Sequence, residues 1–187
     1  MTLPSPSILG ALYGVSELCL TLTRRSKSDS LSKDRRSLAL LWFVILASIN
    51  LGFFLTFVLP AWRFPDVRQF RVPGFCLFVL GLSLRWFSII HLGRFFTTNV
   101  AIVPDHRVID SGPYRFIRHP SYTGALLAFL GLGLCLGNLV SLLVLTVPIF
   151  FAFLWRIRLE ERAMVEALGE RYRSYMQRTK CLIPFVF

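Results

Sequence analysis

The chain has 187 residues, of which 55% are hydrophobic, and carries a formal net charge of +11. This length fits a single domain, and the mean hydropathy of +0.61 exceeds that of an ordinary soluble chain. The apolar residues form long runs with few charges, which predicts an all-α, polytopic membrane protein. The basic residues lie between those runs, a pattern that indicates contact with anionic membrane lipid and argues against a nucleic-acid partner.

Five apolar segments predict about five transmembrane helices in one membrane domain, residues 1–187, with three spans in residues 1–92. The predicted spans are Ile8 to Thr23, Ser37 to Leu59, Pro73 to about His91, Pro120 to about Leu136, and Leu139 to about Trp155. The dipeptide Gly137-Asn138 predicts a tight turn, so the last two spans form an antiparallel hairpin. Glu17 and Arg85 lie inside spans, where charge is costly. We therefore expect Glu17 to face the helix bundle and Arg85 to face the interior or extend to the interface.

The distribution of Lys and Arg predicts the orientation of these spans. The segments that would lie on one side of the membrane hold 6, 4 and 7 basic residues, and the opposite loops hold 3 and 0. The positive-inside rule places the richer side in the cytoplasm. The loop of residues 93–118 and the C-terminal segment share that side, so they can build one site.

The C-terminal segment predicts an amphipathic helix at residues 159–176, because apolar residues recur there at spacings of three and four. We expect it to lie on the membrane surface, with a possible break at Gly169. The apolar residues 181–187 are expected to dock back onto the bundle. The four cysteines form no C-x-x-C pair and predict neither a disulfide framework nor a metal site.

The sequence Arg118-His119-Pro120 marks the start of the fourth span. Proline suits the first position of a helix, and the N–H groups of Ser121, Tyr122 and Thr123 would be unpaired donors there. Arg118 and His119 beside that helix end predict an anion site. The alternative is that Arg118 and His119 only anchor the helix end among lipid headgroups.

Glu160 and Glu161 form a second polar cluster just after the fifth span. Two acids at a basic membrane surface are unexpected, because anionic lipid repels them. One interpretation is that they pair with Arg158 or Arg162, or that they mark the N-terminus of a helix. The other is that they hold a cationic group next to the anion site at Arg118.

The order of these segments resembles the isoprenylcysteine carboxyl methyltransferase family. Residues 118–122 match its R-H-P-x-Y motif, preceded by Gly112-Pro113-Tyr114 and His106-Arg107-Val108-Ile109. The helical hairpin, Glu160-Glu161 and a G-x-x-Y-x-x-Y pattern at residues 169–175 follow in the family's order. The resemblance covers roughly residues 90–187, the expected catalytic half.

The resemblance implies a small membrane methyltransferase that uses S-adenosylmethionine and a lipophilic acceptor, such as the carboxylate of a prenylated cysteine. It implies catalytic roles for Arg118 and Glu161, with the cytoplasmic loop contributing to the cofactor site. The residues that it assigns to the cofactor are His106, Val108, Gly112, Tyr114, His119, Tyr122, Glu160 and Glu161. It implies no obligate protein partner. The membrane would be the inner membrane of a prokaryote or the endoplasmic reticulum of a eukaryote.

Two other functions remain open at the level of sequence. Membrane sterol reductases, which use NADPH, have a similar C-terminal end, but Ser121 stands where that group is expected to have Asn. A non-catalytic protein that binds anionic headgroups through Arg118 is the third possibility. Methyl transfer to an ionised carboxylate requires the protein to orient donor and acceptor and to clamp the anion electrostatically, but it requires no strong base. The absence of a nucleophile motif therefore does not count against the methyltransferase function.

Overall fold

The computed structural model describes residues 3–23, 32–96 and 107–183. These ranges contain six α-helices and three short 3₁₀ turns, and their only β-type pairing consists of isolated bridges. The helices are α1 (Pro6–Thr23), α2 (Ser32–Val58), α3 (Val67–Leu92), α4 (Pro120–Leu136), α5 (Leu139–Leu168) and α6 (Glu170–Arg178). The all-α prediction is therefore confirmed for the described residues.

Within the described ranges, four helices are long and apolar enough to cross a membrane: α1, the part of α2 from Arg36, α3 with the following turn, and α5. The remaining apolar helix, α4, has 17 residues and extends about 26 Å at 1.5 Å per residue, slightly less than a bilayer core. It packs against both α3 and α5. The five predicted spans thus correspond to four long helices and one shorter helix.

The predicted start of the third span at Pro73 is wrong. Helix α3 begins at Val67, and Pro73 lies inside it. Asp66 explains the earlier start, because its side chain accepts a hydrogen bond from the Arg68 N–H at 3.0 Å and thereby caps the helix. The predicted loop of residues 60–72 therefore ends at Asp66.

The predicted division between the fifth span and a separate surface helix is also wrong. Helix α5 continues through residue 155 to Leu168, and only then does Gly169, with φ of 57°, end it. The chain has no helix breaker between these points. The predicted break at Gly169 is confirmed, so the short α6 is the separate C-terminal amphipathic helix.

Helices α3 and α4 pack closely through glycines. A Cβ added to Gly81 would lie 2.4 Å from the backbone nitrogen of Ala128, and one added to Gly131 would lie 2.4 Å from that of Phe78. Such distances are shorter than any ordinary contact, so the two backbones touch directly. This packing brings the middle of α3 next to the start of α4.

The two ends of the bundle carry different connections. At one end, Gly137 adopts φ of 68° and Asn138 accepts a hydrogen bond from the Ser141 N–H at 3.1 Å, which confirms the predicted turn. The Asn138 amide also donates to the Leu59 carbonyl at 2.8 Å. The opposite end holds the segment before α4 and the C-terminal residues, and these form the candidate site.

Candidate active site

A cavity lies between the helices at the end of the bundle where α4 begins. Its polar wall comes from the segment before α4, the start of α4, the end of α5, and α6. Its apolar wall comes from the membrane-spanning parts of α2 and α5, and α1 contributes Tyr13 and Glu17. The polar wall includes Tyr114, Arg118, His119, Tyr122, Glu160, Tyr172 and Tyr175 together with the apolar Val108, and the apolar wall includes Leu41, Trp42, Ile45 and Phe153. Residues of the three N-terminal helices and of the C-terminal half therefore share one cavity.

Tyr114 is fixed between α3 and α6. Its hydroxyl donates to the Ser88 carbonyl of α3 at 3.2 Å, and its own carbonyl accepts the Tyr175 hydroxyl of α6 at 2.7 Å. Burial raises the pKa of the Tyr114 phenol well above its usual value, so this side chain stays protonated at neutral pH. Gly112, which precedes it, has φ of 58°, a conformation that glycine adopts at little cost.

The C-terminal segment pairs with the segment before α4. The Arg118 N–H donates to the Lys180 carbonyl at 2.8 Å, and the His119 N–H donates to the Cys181 carbonyl at 3.1 Å. The Arg118 side chain strengthens this contact, because its Nη1 donates to the carbonyls of Met176 and Thr179 at 3.1 and 2.5 Å. Residues 181–183 thus dock onto the bundle as expected, and residues 184–187 lie outside the described part.

The two adjacent glutamates have different hydrogen-bond partners, although His119 lies near both. Glu161 accepts a hydrogen bond from Arg118 Nε at 2.7 Å and is 3.1 Å from His119 Nε2. Glu160 accepts the Tyr122 hydroxyl at 2.5 Å and Arg156 Nε at 3.2 Å. The pairing with Arg158 or Arg162 that the sequence allowed is replaced by these contacts.

The start of α4 offers fewer free donors than predicted. The N–H groups of Tyr122 and Thr123 both donate to the His119 carbonyl at 3.1 Å. Two of the three donors proposed for an anion site are therefore already paired. The Arg118 side chain is likewise engaged with Glu161, so an anion held by this helix end alone is not supported by the geometry.

The structure brings together most of the residues that the family resemblance implies. Val108, Tyr114, Arg118, His119, Tyr122 and Glu160 line the cavity. Among the described residues, Gly112 and Glu161 are not part of the cavity wall. Gly112 supports the wall through its positive φ, which turns the chain just before Tyr114, and Glu161 supports it by binding Arg118 and His119. His106 lies outside the described residues.

Sequence reasoning did not predict the ion pair between Glu17 and Arg85 in the cavity wall. Arg85 Nε and Nη2 donate to the two carboxylate oxygens of Glu17 at 2.5 and 2.7 Å, and Nη1 donates to the Ser121 carbonyl at 3.2 Å. Both side chains face the interior, which confirms the expectation for each of them. The available signal for the pair was the presence of one acidic and one basic residue inside two different spans, the first and the third.

His119, Glu161 and Cys181 bring one donor atom each to within 4.8 Å of one another. Glu161 is already bound to His119 and Arg118. Burial and the neighbouring Glu161 raise the pKa of the Cys181 thiol to about 11, which disfavours the thiolate that a metal requires. These contacts favour a hydrogen-bonded cluster that joins the C-terminal segment to the site.

Comparison with known proteins agrees with the resemblance. A family model described as the isoprenylcysteine carboxyl methyltransferase family matches residues 74–166. Protein-S-isoprenylcysteine O-methyltransferase B of Arabidopsis thaliana is 34% identical over 128 residues, which cover 66% of this chain and 65% of the relative. The protein-S-isoprenylcysteine O-methyltransferase of Schizosaccharomyces pombe is 32% identical over 139 residues, 69% of this chain and 58% of the relative. The chain therefore spans about three fifths of the length of these relatives.

A solved structure shows the same arrangement of helices. It is described as the eukaryotic intramembrane Ras methyltransferase ICMT, and it superposes with a TM-score of 0.66 at 28% sequence identity. The match covers 78% of this chain and 52% of that one. The sterol-reductase and headgroup-binding alternatives gain no support from these matches. Residues 74–166 of this chain thus match the isoprenylcysteine carboxyl methyltransferase family in sequence and in fold.

Proposed function

We propose that the protein is a membrane methyltransferase that transfers a methyl group from S-adenosylmethionine to the carboxylate of a prenylated cysteine. The observation that carries this proposal is the single cavity with a polar wall at the end of the bundle and an apolar wall within the spans. A water-soluble methyl donor and a lipid-bearing acceptor require these two environments side by side. The names of the relatives support the same reaction.

The chemistry of the polar wall suits S-adenosylmethionine. When bound, this cofactor supplies a methyl group on a positively charged sulfur. Glu160 offers a carboxylate to a cationic group, and the rings of Tyr114, Tyr122 and Tyr172 offer aromatic surface. Arg107 also lines the cavity and lies outside the spans, where it can pair with a carboxylate.

We assign the cavity-lining Val108, Tyr114, His119, Tyr122 and Glu160 to the cofactor site. Gly112 sets the path of the chain next to Tyr114, and His106 remains a proposed cofactor residue from the resemblance. Arg118 stays in the proposed catalytic set together with Glu161. Their ion pair holds the polar wall in place, because Arg118 also binds the carbonyls of Met176 and Thr179 at the end of α6.

The reaction needs little acid–base chemistry from the protein. A carboxylate acceptor is already ionised near neutral pH, so the protein must orient it and exclude water. The buried Leu41, Ile45 and Phe153 give the apolar wall that a prenyl chain would contact. We further propose that the site faces the cytoplasm, on the side that holds most Lys and Arg residues.

Calorimetric titration of the purified protein in detergent tests this function. We expect saturable binding of S-adenosylmethionine and no binding of NADPH, followed by methyl transfer to N-acetyl-S-farnesylcysteine. Binding of NADPH alone would contradict the proposal and indicate reductase chemistry. A folded protein that binds neither compound would also contradict it and leave the Arg118 region as a headgroup anchor.

A further inference from the structure

Among the residues that the structure describes, four arginines line the cavity: Arg85, Arg107, Arg118 and Arg156. An ionised acceptor in a cavity of low polarity needs a cation with N–H groups that are not already used. The hydrogen bonds and positions of the four guanidinium groups distinguish them. The proposed function, on which this inference rests, makes the acceptor a carboxylate.

The guanidinium groups of Arg118 and Arg156 are occupied by contacts between structural elements. Arg118 binds Glu161 and two carbonyls near the end of α6. Arg156 is 1% exposed, binds Glu160 through Nε and binds the Ser37 hydroxyl through Nη1. Moving either one to an acceptor would break contacts between elements that form the site.

Arg107 lies on the water side of the cavity. It is exposed, belongs to the segment between the spans, and has its guanidinium carbon 5.8 Å from the centre of the Phe95 ring. An acceptor whose lipid chain stays in the bilayer would present its carboxylate deeper, within the spans. Arg107 therefore suits the cofactor better than the acceptor.

Arg85 lies within a span and in the cavity wall. Its hydrogen bonds to Glu17 and to the Ser121 carbonyl occupy one N–H on each of its three nitrogens. A guanidinium has five N–H groups, so in the described part of the chain one remains on Nη1 and one on Nη2. These two nitrogens form the end of the group that can bind both oxygens of a carboxylate.

Glu17 determines how Arg85 is oriented. It holds the Nε side of the guanidinium through two short hydrogen bonds, and Glu17 and Arg85 are only 5% and 8% exposed. An isolated charge at this depth would be strongly unfavourable, whereas the pair is neutral. Ionisable residues inside a membrane domain more often mark a functional site than a structural contact.

We propose that Arg85 binds the carboxylate of the acceptor and that Glu17 of α1 is the positioning residue that directs Arg85 toward it. Helix α1 precedes the region of the family match, which begins at residue 74. The N-terminal helix would thereby contribute to recognition of the acceptor, while the C-terminal half binds the cofactor. The ligand class for this subsite is a carboxylate attached to a lipid chain.

A double variant tests this assignment without leaving a buried charge unpaired. Glu17→Gln combined with Arg85→Gln removes both charges and leaves a neutral amide at each position, which proteins tolerate better than loss of one charged partner. The probes are N-acetyl-S-farnesylcysteine and its carboxamide, with equilibrium binding and methyl transfer as readouts. We expect affinity for the carboxylate to fall at least about tenfold, with loss of the preference over the carboxamide and unchanged affinity for S-adenosylmethionine.

Ser16→Ala is the matched control. Ser16 is adjacent to Glu17 and accepts a hydrogen bond from Trp86 Nε1 at 2.7 Å, so its replacement weakens the same contact between α1 and α3. Neither Ser16 nor Trp86 lines the cavity among the described residues. We expect the control to keep the preference of the wild-type protein for the carboxylate.

The outcomes separate this inference from the proposed function. If the wild-type protein binds neither S-adenosylmethionine nor the farnesylated probe, the proposed function fails. If the wild-type protein methylates the probe and the double variant keeps its preference for the carboxylate, only the role of Arg85 and Glu17 fails. If the double variant does not fold, Arg85→Lys is the second variant, because it keeps the positive charge but lacks the two Nη atoms that bind both carboxylate oxygens. An unchanged preference for the carboxylate over the carboxamide in that variant would overturn the inference.

Discussion

At the scale of single residues, the two adjacent glutamates show how helical geometry separates roles. Consecutive positions on an α-helix point about 100° apart, so Glu160 reaches Tyr122 and the cavity while Glu161 reaches Arg118 and His119. Glu160 can contact a ligand, whereas Glu161 connects α5 to the segment before α4. The sequence indicated that the pair was important but did not separate the two members.

Replacing each glutamate with glutamine should therefore give different results. Glu161→Gln breaks a mostly buried ion pair and leaves Arg118 without its carboxylate, which we expect to lower the unfolding free energy by about 3 kcal/mol. Glu160→Gln should weaken binding of S-adenosylmethionine about tenfold, because a carboxylate on the cavity wall is lost. Thermal unfolding in detergent and calorimetric titration measure the two effects. This division of roles would be contradicted if Glu161→Gln weakened binding of S-adenosylmethionine without a loss of thermal stability, while Glu160→Gln destabilised the protein without affecting binding.

At the scale of elements, the contact between α3 and α4 positions the site. Gly81 and Gly124 allow the two backbones to touch, which places Arg85 of α3 next to the Ser121 carbonyl at the start of α4. Because the nearest atoms belong to the backbone of the partner helix, they cannot move aside as a flexible side chain would. The spacing of these helices therefore determines the shape of the cavity.

We expect Gly81→Ala to destabilise the protein by about 3 kcal/mol and to reduce methyl transfer, because the new Cβ would lie 2.4 Å from the Ala128 nitrogen. Gly14→Ala is the matched control, since Gly14 also lies in a membrane helix but has no atom within 4 Å of an added Cβ. Alanine is the better helix former, so the control should lose no stability. Thermal unfolding of both variants in the same detergent measures the difference. Equal stability of the two variants would show that α3 and α4 can separate without cost.

At the scale of the whole molecule, the bundle has two distinct ends. The turn between α4 and α5 lies beside the segment after α2, where the Phe64 N–H donates to the Gly137 carbonyl at 2.9 Å. The segment before α4 and helix α6 meet at the other end, where the polar wall of the cavity lies. Both glutamates of the site and the cations that pair with them lie at this second end.

Cysteine labelling should place the two ends on opposite sides of the membrane. Arg68 and Arg173 are exposed and lie near opposite ends of the helix bundle. We expect Arg68→Cys to react with a membrane-impermeant maleimide in vesicles of one orientation, and Arg173→Cys to react in vesicles of the opposite orientation. The background should carry Cys19→Ala and Cys76→Ala, because both native thiols are exposed. Arg173→Cys should react from the cytoplasmic side. Labelling of both positions from the same side would rule out the proposed orientation.

Much of the fold and half of the site could be predicted from the sequence. Apolar runs longer than a bilayer core can only be satisfied as helices, and a glycine at residue 137 followed by a capping asparagine ends one helix and begins the next. The end of α5 was predicted 13 residues too early. Charged residues such as Arg156 and Glu160 suggest a span boundary, but their mutual pairing allows the helix to continue.

The sequence by itself determined the class of the protein, the order of its helices and the motif residues that surround the cavity. These follow from hydrophobicity, local capping and motif spacing, which act over a few neighbouring residues. Only the tertiary structure decided which polar groups meet: Glu17 with Arg85 across 68 positions, Arg118 with Glu161, and Tyr122 with Glu160. The physical reason is that a buried charge is stable only beside a partner, and helix packing rather than sequence separation determines which partner lies within reach.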